Sequence, residues 1–148
     1  MRLAVRTARR RAFTLVELAV VIVIIGVLAA FGVPRFLKSV ERGKAAEAYA
    51  YLSAVRSAQE RYCTQYGTYA NDPSQLDIVV SSLTYFTPGP ITAGSTGSLQ
   101  DSWTMSLTRS GPSAGYGQYT VTFTQDGFDW NNSTIAALPD INPMGSHP

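Results

Sequence analysis

Few side chains in this chain could do chemistry, and the one in the least expected place is a carboxylate. Glu17 lies inside a run from Ala12 to Val33 in which the only other polar residue is Thr14. A carboxylate in an apolar membrane helix costs on the order of 2.5–3.5 kcal/mol and rarely stands without a partner. No Lys or Arg lies one helical turn further into the run, and Arg9, Arg10 and Arg11 sit on the far side of Phe13. Cleavage between Ala12 and Phe13 would supply a cation, because it places a free α-amino group on Phe13, four residues from Glu17. In chains packed side by side, the amine of one could pair with the carboxylate of another.

The other reactive residues point to no catalytic constellation. The sole histidine, His147, falls in the C-terminal tail, which reads as a tail residue rather than a general base or ligand. Cys63 is the sole cysteine and cannot close an internal disulfide; it reads as a helix residue facing the globular head. Asp126-Gly127-Phe128-Asp129 raises the question of calcium, but it lacks the regular oxygen spacing of a calcium loop, and Asp-Gly is first a turn dipeptide. Asn131-Asn132-Ser133-Thr134 holds two overlapping sequons, which matter only where a glycosylation machinery exists. No cofactor and no metal site is expected.

The elements that must carry Glu17 come next. As a helix, the 22 residues from Ala12 to Val33 reach roughly 33 Å, about the thickness of bilayer hydrocarbon. Residues 1–12 hold Arg2, Arg6, Arg9, Arg10 and Arg11 and no acid. The overall net charge of +2 is therefore a property of this leader. Without it, seven cations stand against ten acids, a net of −3, which argues against a nucleic-acid surface and its clustered cations. A secretory signal peptide, a twin-arginine signal (Arg10-Arg11-Ala12-Phe13) and a plain single-span anchor compete for the same run. None of them accounts for Glu17.

At residues 12–17 the sequence resembles the type III signal of type IV prepilins and pseudopilins. In that family a short basic leader ends in a small residue, usually Gly, followed by Phe-Thr-Leu-(Ile/Val)-Glu and an apolar helix. Ala12, Phe13, Thr14, Leu15, Val16 and Glu17 occupy those positions, with Ala12 as the departure. Gly26 and Pro34 fall where pilin helices commonly carry a glycine and a proline, and residues 26–34 are the expected weak segment of the helix. The resemblance implies cleavage between Ala12 and Phe13 and N-methylation of Phe13 by a prepilin peptidase/methyltransferase. It further implies storage as a single-pass protein in the inner-membrane lipid. An assembly platform would then extract it into a filament of its own copies, with Glu17 setting register. The filament would be a cell-surface pilus or, for a minor pilin or type II secretion pseudopilin, a periplasmic fibre. The single-span binding module remains the more distant alternative. Charge orients the leader weakly, with five cations before the span against Arg35, Lys38, Arg42 and Lys44 after it; the resemblance places it in the cytoplasm.

Beyond Pro34 the pattern turns one-sided. Leu37, Val40, Ala45, Ala48, Leu52, Val55 and Tyr62 follow three- and four-residue steps, with the charges largely elsewhere on a solvated face. Lys38 with Glu41 and Lys44 with Glu47 are spaced to pair across a turn. Gly67 should end a helix that begins near Phe13 and extends roughly 80 Å. Tyr66-Gly67-Thr68-Tyr69-Ala70 resembles the family's Gly-x-Tyr-Pro stretch with Ala70 in place of proline, and Tyr69 should pack back on the helix.

Residues 87–102, rich in Thr, Pro, Gly and Ser, read as an exposed loop that contacts outside partners. Trp103, Met105 and Leu107, then Tyr119, Val121 and Phe123, alternate with Thr and Ser, which predicts an antiparallel sheet covering the helix stripe. Gly111-Pro112-Ser113-Ala114-Gly115 supplies the turn, Phe128-Asp129-Trp130 a third strand, and residues 137–148 an irregular tail. The aromatics on or near the helix, among them Phe31, Phe36, Tyr49, Tyr51, Tyr62 and Tyr66, read as packing rather than a conductive stack. The expected architecture is α+β: a leader at 1–12, an apolar half-helix at 13–33, an amphipathic half at 34–66 and a small antiparallel sheet within 67–148.

Overall fold

The computed structural model describes residues 13–78 and 83–146. It divides into two compact units, one ending at Phe36 and the other beginning at Leu37. One helix, α1 (Leu15–Tyr66), supplies residues to both, and Pro34 lies inside it without ending it. Gly67 does end it. Its φ of +73° is a left-handed conformation that costs glycine nothing, and its N–H donates to the Cys63 carbonyl at 2.8 Å.

Within the second unit, α1 buries Glu41, Ala45, Ala48, Tyr49, Leu52, Val55, Ala58 and Gln59. The steps of three and four keep these residues on one face. The stripe differs from the expected one at its start: Leu37 and Val40 are exposed, and the charged Glu41 takes the inward place with no accessible surface. The reason lies across the interface, where an arginine awaits it.

The sheet consists of β1 (Phe86–Pro88), β2 (Thr92–Ala93), β3 (Trp103–Arg109), β4 (Thr120–Thr124) and β5 (Gly127–Phe128), all paired antiparallel. β3 is flanked on one side by β4, which leads to β5, and on the other by both β1 and β2. The segment expected to be an exposed loop is therefore partly an edge strand. β1 pairs Pro88 with Leu107 and β2 pairs Thr92 with Thr104, so one more residue separates the two pairs on the edge than on β3. That extra residue is a bulge. Gly89 sits in it with its N–H donating to the Ser106 carbonyl at 2.9 Å, where any side chain would strike the same oxygen.

Trp103, Met105, Leu107 and Arg109 alternate inward along β3 and, with Val121 and Phe123 of β4, pack with the buried face of α1 in a single core. Each fully buried aliphatic or aromatic side chain there contributes about 1.5–3 kcal/mol. β4 departs from strict alternation at Thr122, which is buried because Ser133 covers it: its N–H donates to Ser133 Oγ at 2.9 Å.

The C-terminal segment is irregular after a 3-10 turn at Thr134–Ala137, yet it is tied down. Ile135, Ile141 and Asn142 have no accessible surface. Tyr49 donates to Asn142 Oδ1 at 2.6 Å, Lys38 pairs with Asp140 at 2.6 Å, and Arg42 donates to the Pro143 carbonyl at 3.3 Å. Lys38 thus reaches the tail and not Glu41, as helical spacing suggested. Lys44 pairs with Glu41 at 3.3 Å, leaving Glu47 to accept from the backbone N–H groups of Thr84 and Tyr85 at 2.9 and 3.0 Å. A tail contact takes Lys38 and loop amides take Glu47 from the pairings their spacing suggested, while the i,i+3 pair that does form joins Lys44 to Glu41.

Two polar anchors bound the apolar stripe. At one end Arg109 Nε donates to Glu41 Oε1 at 2.6 Å and Nη2 to Glu41 Oε2 at 3.2 Å, while Tyr119 donates its hydroxyl to Oε1 at 2.9 Å. The remaining guanidinium N–H groups meet the carbonyls of Tyr85, Ser110 and Pro112. All five donors of Arg109 are used. At the other end the Gln59 amide brackets Ala70, accepting its N–H at 2.8 Å and donating to its carbonyl at 2.9 Å.

Burial alone would raise the Glu41 pKa. The hydrogen bonds from Arg109, Tyr119 and Lys44 outweigh it and hold the carboxyl below its ordinary 4.5. The Glu41 hydrogen bond raises Arg109 in turn, and burial, followed by that carboxylate, pushes the Tyr119 hydroxyl up. The expectation that the helix charges form a solvated face fails at Glu41, which is the buried partner of a buried arginine.

Candidate functional site

The candidate site is the start of α1 and the apolar run behind it. Thr14 precedes the first helical residue, and its carbonyl accepts the Leu18 N–H at 3.2 Å. The Thr14 hydroxyl accepts the Glu17 N–H at 3.2 Å, while Glu17 Oε2 accepts the Thr14 N–H at 2.9 Å. The same oxygen also meets the Thr14 hydroxyl at 2.9 Å. This is a capping box, in which threonine and glutamate three apart each satisfy a backbone donor that the helix leaves open. A carboxylate at this position also faces the positive end of the helix dipole.

Glu17 therefore has a partner within its own chain, where the sequence reading sought one only outside. The signal was present: Thr-x-x-Glu immediately before an apolar run is a helix-start signature. Glu17 Oε1 carries no hydrogen bond among the described residues.

Phe13 is 82% exposed. Ala12, on the other side of the expected scissile bond, lies outside the described residues, as do the leader and His147. From Leu15 to Phe36 every side chain of α1 is exposed, Leu15 at 86% and Phe31 at 72% among them. By length and composition this helix can cross a membrane. Gly26 and Gly32 have open space where a Cβ would stand, so the helix surface is thinnest there. Pro34 brings no N–H to the backbone ladder.

The remaining candidates resolve into structure. Cys63 is half-buried on α1 and forms no disulfide among the described residues. Asp126 and Gly127 close the β4–β5 hairpin. Asp129 spends both carboxylate oxygens on residues two and three further on, accepting from Asn131 N, Asn132 N and Asn132 Nδ2. Tyr49, Phe123, Phe128 and Trp130 form an aromatic cluster in the core and at its margin, with ring centroids 4.8–6.0 Å apart.

A helix apolar on every side over its first half, and one-sided over a second half that packs on a small antiparallel sheet, defines a class of α+β chain with one long N-terminal helix. Comparison with known proteins narrows the class. Residues 7–33 match the family model described as the prokaryotic N-terminal methylation motif. The chain is 40% identical over 75 residues to the type IV major pilin protein PilA of Myxococcus xanthus, covering 49% of this chain and 34% of the relative. It is 52% identical over 50 residues to the type IV narrow pilus major component of Thermus thermophilus, covering 34% and 43%. With the type IV major pilin protein PilE of Neisseria gonorrhoeae the identity is 32% over 73 residues, covering 49% and 44%. The chain thus spans less than half the length of these relatives. No solved structure matches it. By this motif and these relatives, the chain is similar to type IV pilins over part of its length.

Proposed function

We propose that this chain is a structural subunit of a type IV pilus-like filament. The observation that carries this reading is an apolar helix exposed on every side, with its single carboxylate held at its start. Hydrophobic surface of that extent needs cover, first from lipid and then from copies of itself. In this reading a prepilin peptidase removes residues 1–12 by cutting between Ala12 and Phe13, and Phe13 is N-methylated. Residues 13–33 cross the inner membrane once, with the leader in the cytoplasm. An assembly platform then draws the subunit into the filament, whose core is the apolar half-helix and whose outer part is built from residues 34–66 and 67–148.

Glu17 holds two roles in sequence. Through Oε2 it starts its own helix, and through Oε1 it neutralises the amine of a neighbouring Phe13 and sets axial register. Gly26 and Pro34 mark where the helix loosens on assembly. The relatives are pilins by name, and we read this chain likewise as structural and not catalytic. A minor pilin or secretion pseudopilin is the second reading, favoured by the lone Cys63, which cannot form the C-terminal disulfide that many adhesive pilins carry.

The test is the intact mass and N-terminal peptide of the protein in material sheared from cells. A species beginning at Phe13, with or without a methyl group, supports the pilus; retention in membranes after cutting at Phe13 favours the pseudopilus. An uncut chain there returns the anchor. Glu17→Ala should leave cleavage intact and abolish filaments, and normal filaments from it would remove the pairing role.

A further inference from the structure

The outer face of the sheet, away from α1, carries a groove of about 630 Å³, within the range of roughly 300–1,000 Å³ usual for small-molecule sites. Its floor is the outward row of hydroxyl side chains on β3 and β4, including Thr104 and Ser106, and its walls are the Ala93–Ser95 corner and the loop from Gln125 to Asn132. We propose that this groove binds a neutral oligosaccharide, with Trp130 as its apolar wall. The inference stands on the head alone and does not depend on the filament reading.

Three observations carry it. First, the lining combines one indole with hydroxyl, amide and carboxylate groups. A pyranose ring presents an apolar C–H face and a rim of hydroxyls that donate and accept at once. An aromatic wall beside short polar side chains of both kinds is its complement.

Second, the charge selects against other ligands. Asp126 and Asp129 line the groove and no Lys, Arg or His does. A phosphate, a sulfate or a uronic acid would meet carboxylates and find no cation to pair with. An extended peptide would find few apolar pockets, since only Ala93, Phe128 and Trp130 are apolar there.

Third, the site is built rather than accidental. Phe128 meets Trp130 nearly perpendicular at 4.8 Å, and the Asp129 carboxylate holds the loop through three hydrogen bonds. Ser106, Thr122 and the Asn132 carbonyl form a chain of hydrogen bonds, at 2.8 and 3.0 Å, that fixes this loop to the floor. Meanwhile the Thr104 hydroxyl and the Asn131 side-chain amide make no hydrogen bond among the described residues. The supporting groups are spent on one another, while the Thr104 hydroxyl and the Asn131 side-chain amide are left for a ligand.

The experiment uses the full chain in dodecylphosphocholine micelles, a detergent without a sugar headgroup, titrated with cellotriose, maltotriose and mannotriose and with trigalacturonate as the acidic control. Saturation-transfer NMR reports which sugar protons approach the protein, and calorimetry reports affinity. We expect at least one neutral trisaccharide to bind, trigalacturonate to bind at least tenfold more weakly, and Trp130→Ala to weaken the neutral trisaccharide at least tenfold. Because Trp130→Ala also removes a contact to Phe128, Asn131→Ala and Thr104→Val serve as second variants that leave the core untouched; each should weaken binding about threefold to tenfold. Silence of all three neutral sugars, equal binding of the acidic one, or affinity unchanged in all three variants would overturn the proposal.

Discussion

Between Leu15 and Phe36 α1 exposes every side chain it has, and between Glu41 and Gln59 the same helix buries eight. The exposed stretch is nearly pure hydrocarbon; the buried stretch begins with a carboxylate and ends with an amide. Apolar character thus does not decide which half folds against the chain. What decides is whether the sheet supplies a complementary surface. Glu41 and Gln59 are buried because Arg109, Tyr119 and Ala70 are placed to receive them. Such partners fix one seating of helix on sheet, since a slide by a single helical turn would leave a carboxylate and a guanidinium unpaired in the core.

The sharpest way to break this contrast is to remove one anchor. Arg109→Met should destabilise the head by about 3–5 kcal/mol, because Glu41 loses its buried bidentate partner and keeps only the half-buried Lys44 and the Tyr119 hydroxyl. Urea denaturation followed by tryptophan fluorescence would show it. Glu41→Met combined with Arg109→Met should recover most of the loss, since apolar residues can replace a buried ion pair at little cost.

The same carboxylate gives the head an acid limit. Its folded pKa lies below the ordinary 4.5, so its stabilising contribution is complete above that pH and is lost as pH falls through the folded value. The denaturation midpoint should therefore drop on acidification below pH 4.5, and Glu41→Gln should flatten that part of the profile.

At the other anchor, Ala70→Pro removes the N–H that Gln59 accepts and should cost about 1–3 kcal/mol. Gln59→Leu in the same background would reveal whether the unpaired amide is the cause, because it should then add little. The smallest effect belongs to the exposed half. Ile22→Thr in detergent should leave the head's midpoint within about 0.5 kcal/mol of wild type, since Ile22 is exposed on α1.

How much of this was legible in the sequence follows from the range of the interactions. The helix and its end at Gly67, the two principal strands and the inward row Trp103, Met105 and Leu107 follow from periodicity and backbone preference, which act over a few residues. The same period continues to Arg109, so its inward position was readable, but an arginine on a core face makes sense only once its partner is known. That partner, Glu41, is 68 residues away. The same holds for Lys38 and Glu47: spacing reveals local pairs and is silent about the tail and loop amides that win them. The edge strands escaped notice because β1 and β2 are three and two residues long and are interrupted by Gly89 and Pro90. At the helix start the order was reversed. Thr14 and Glu17, three apart before an apolar run, spell out a local cap in the sequence itself.

The bulge at Gly89 has a consequence for the chain in a crowd. An unprotected sheet edge offers a row of free amides and carbonyls on which another strand can template itself, and copies of one sequence held at high concentration are the most dangerous partners. Here one edge is broken into two short pieces, with Pro88 and Pro90 contributing no amide donors, and the opposite edge, β5, is two residues long. Neither border is long or straight enough to seed a ladder. A head bordered this way resists fusing with others into amyloid-like ribbons, a protection that lies in the sheet's own outline.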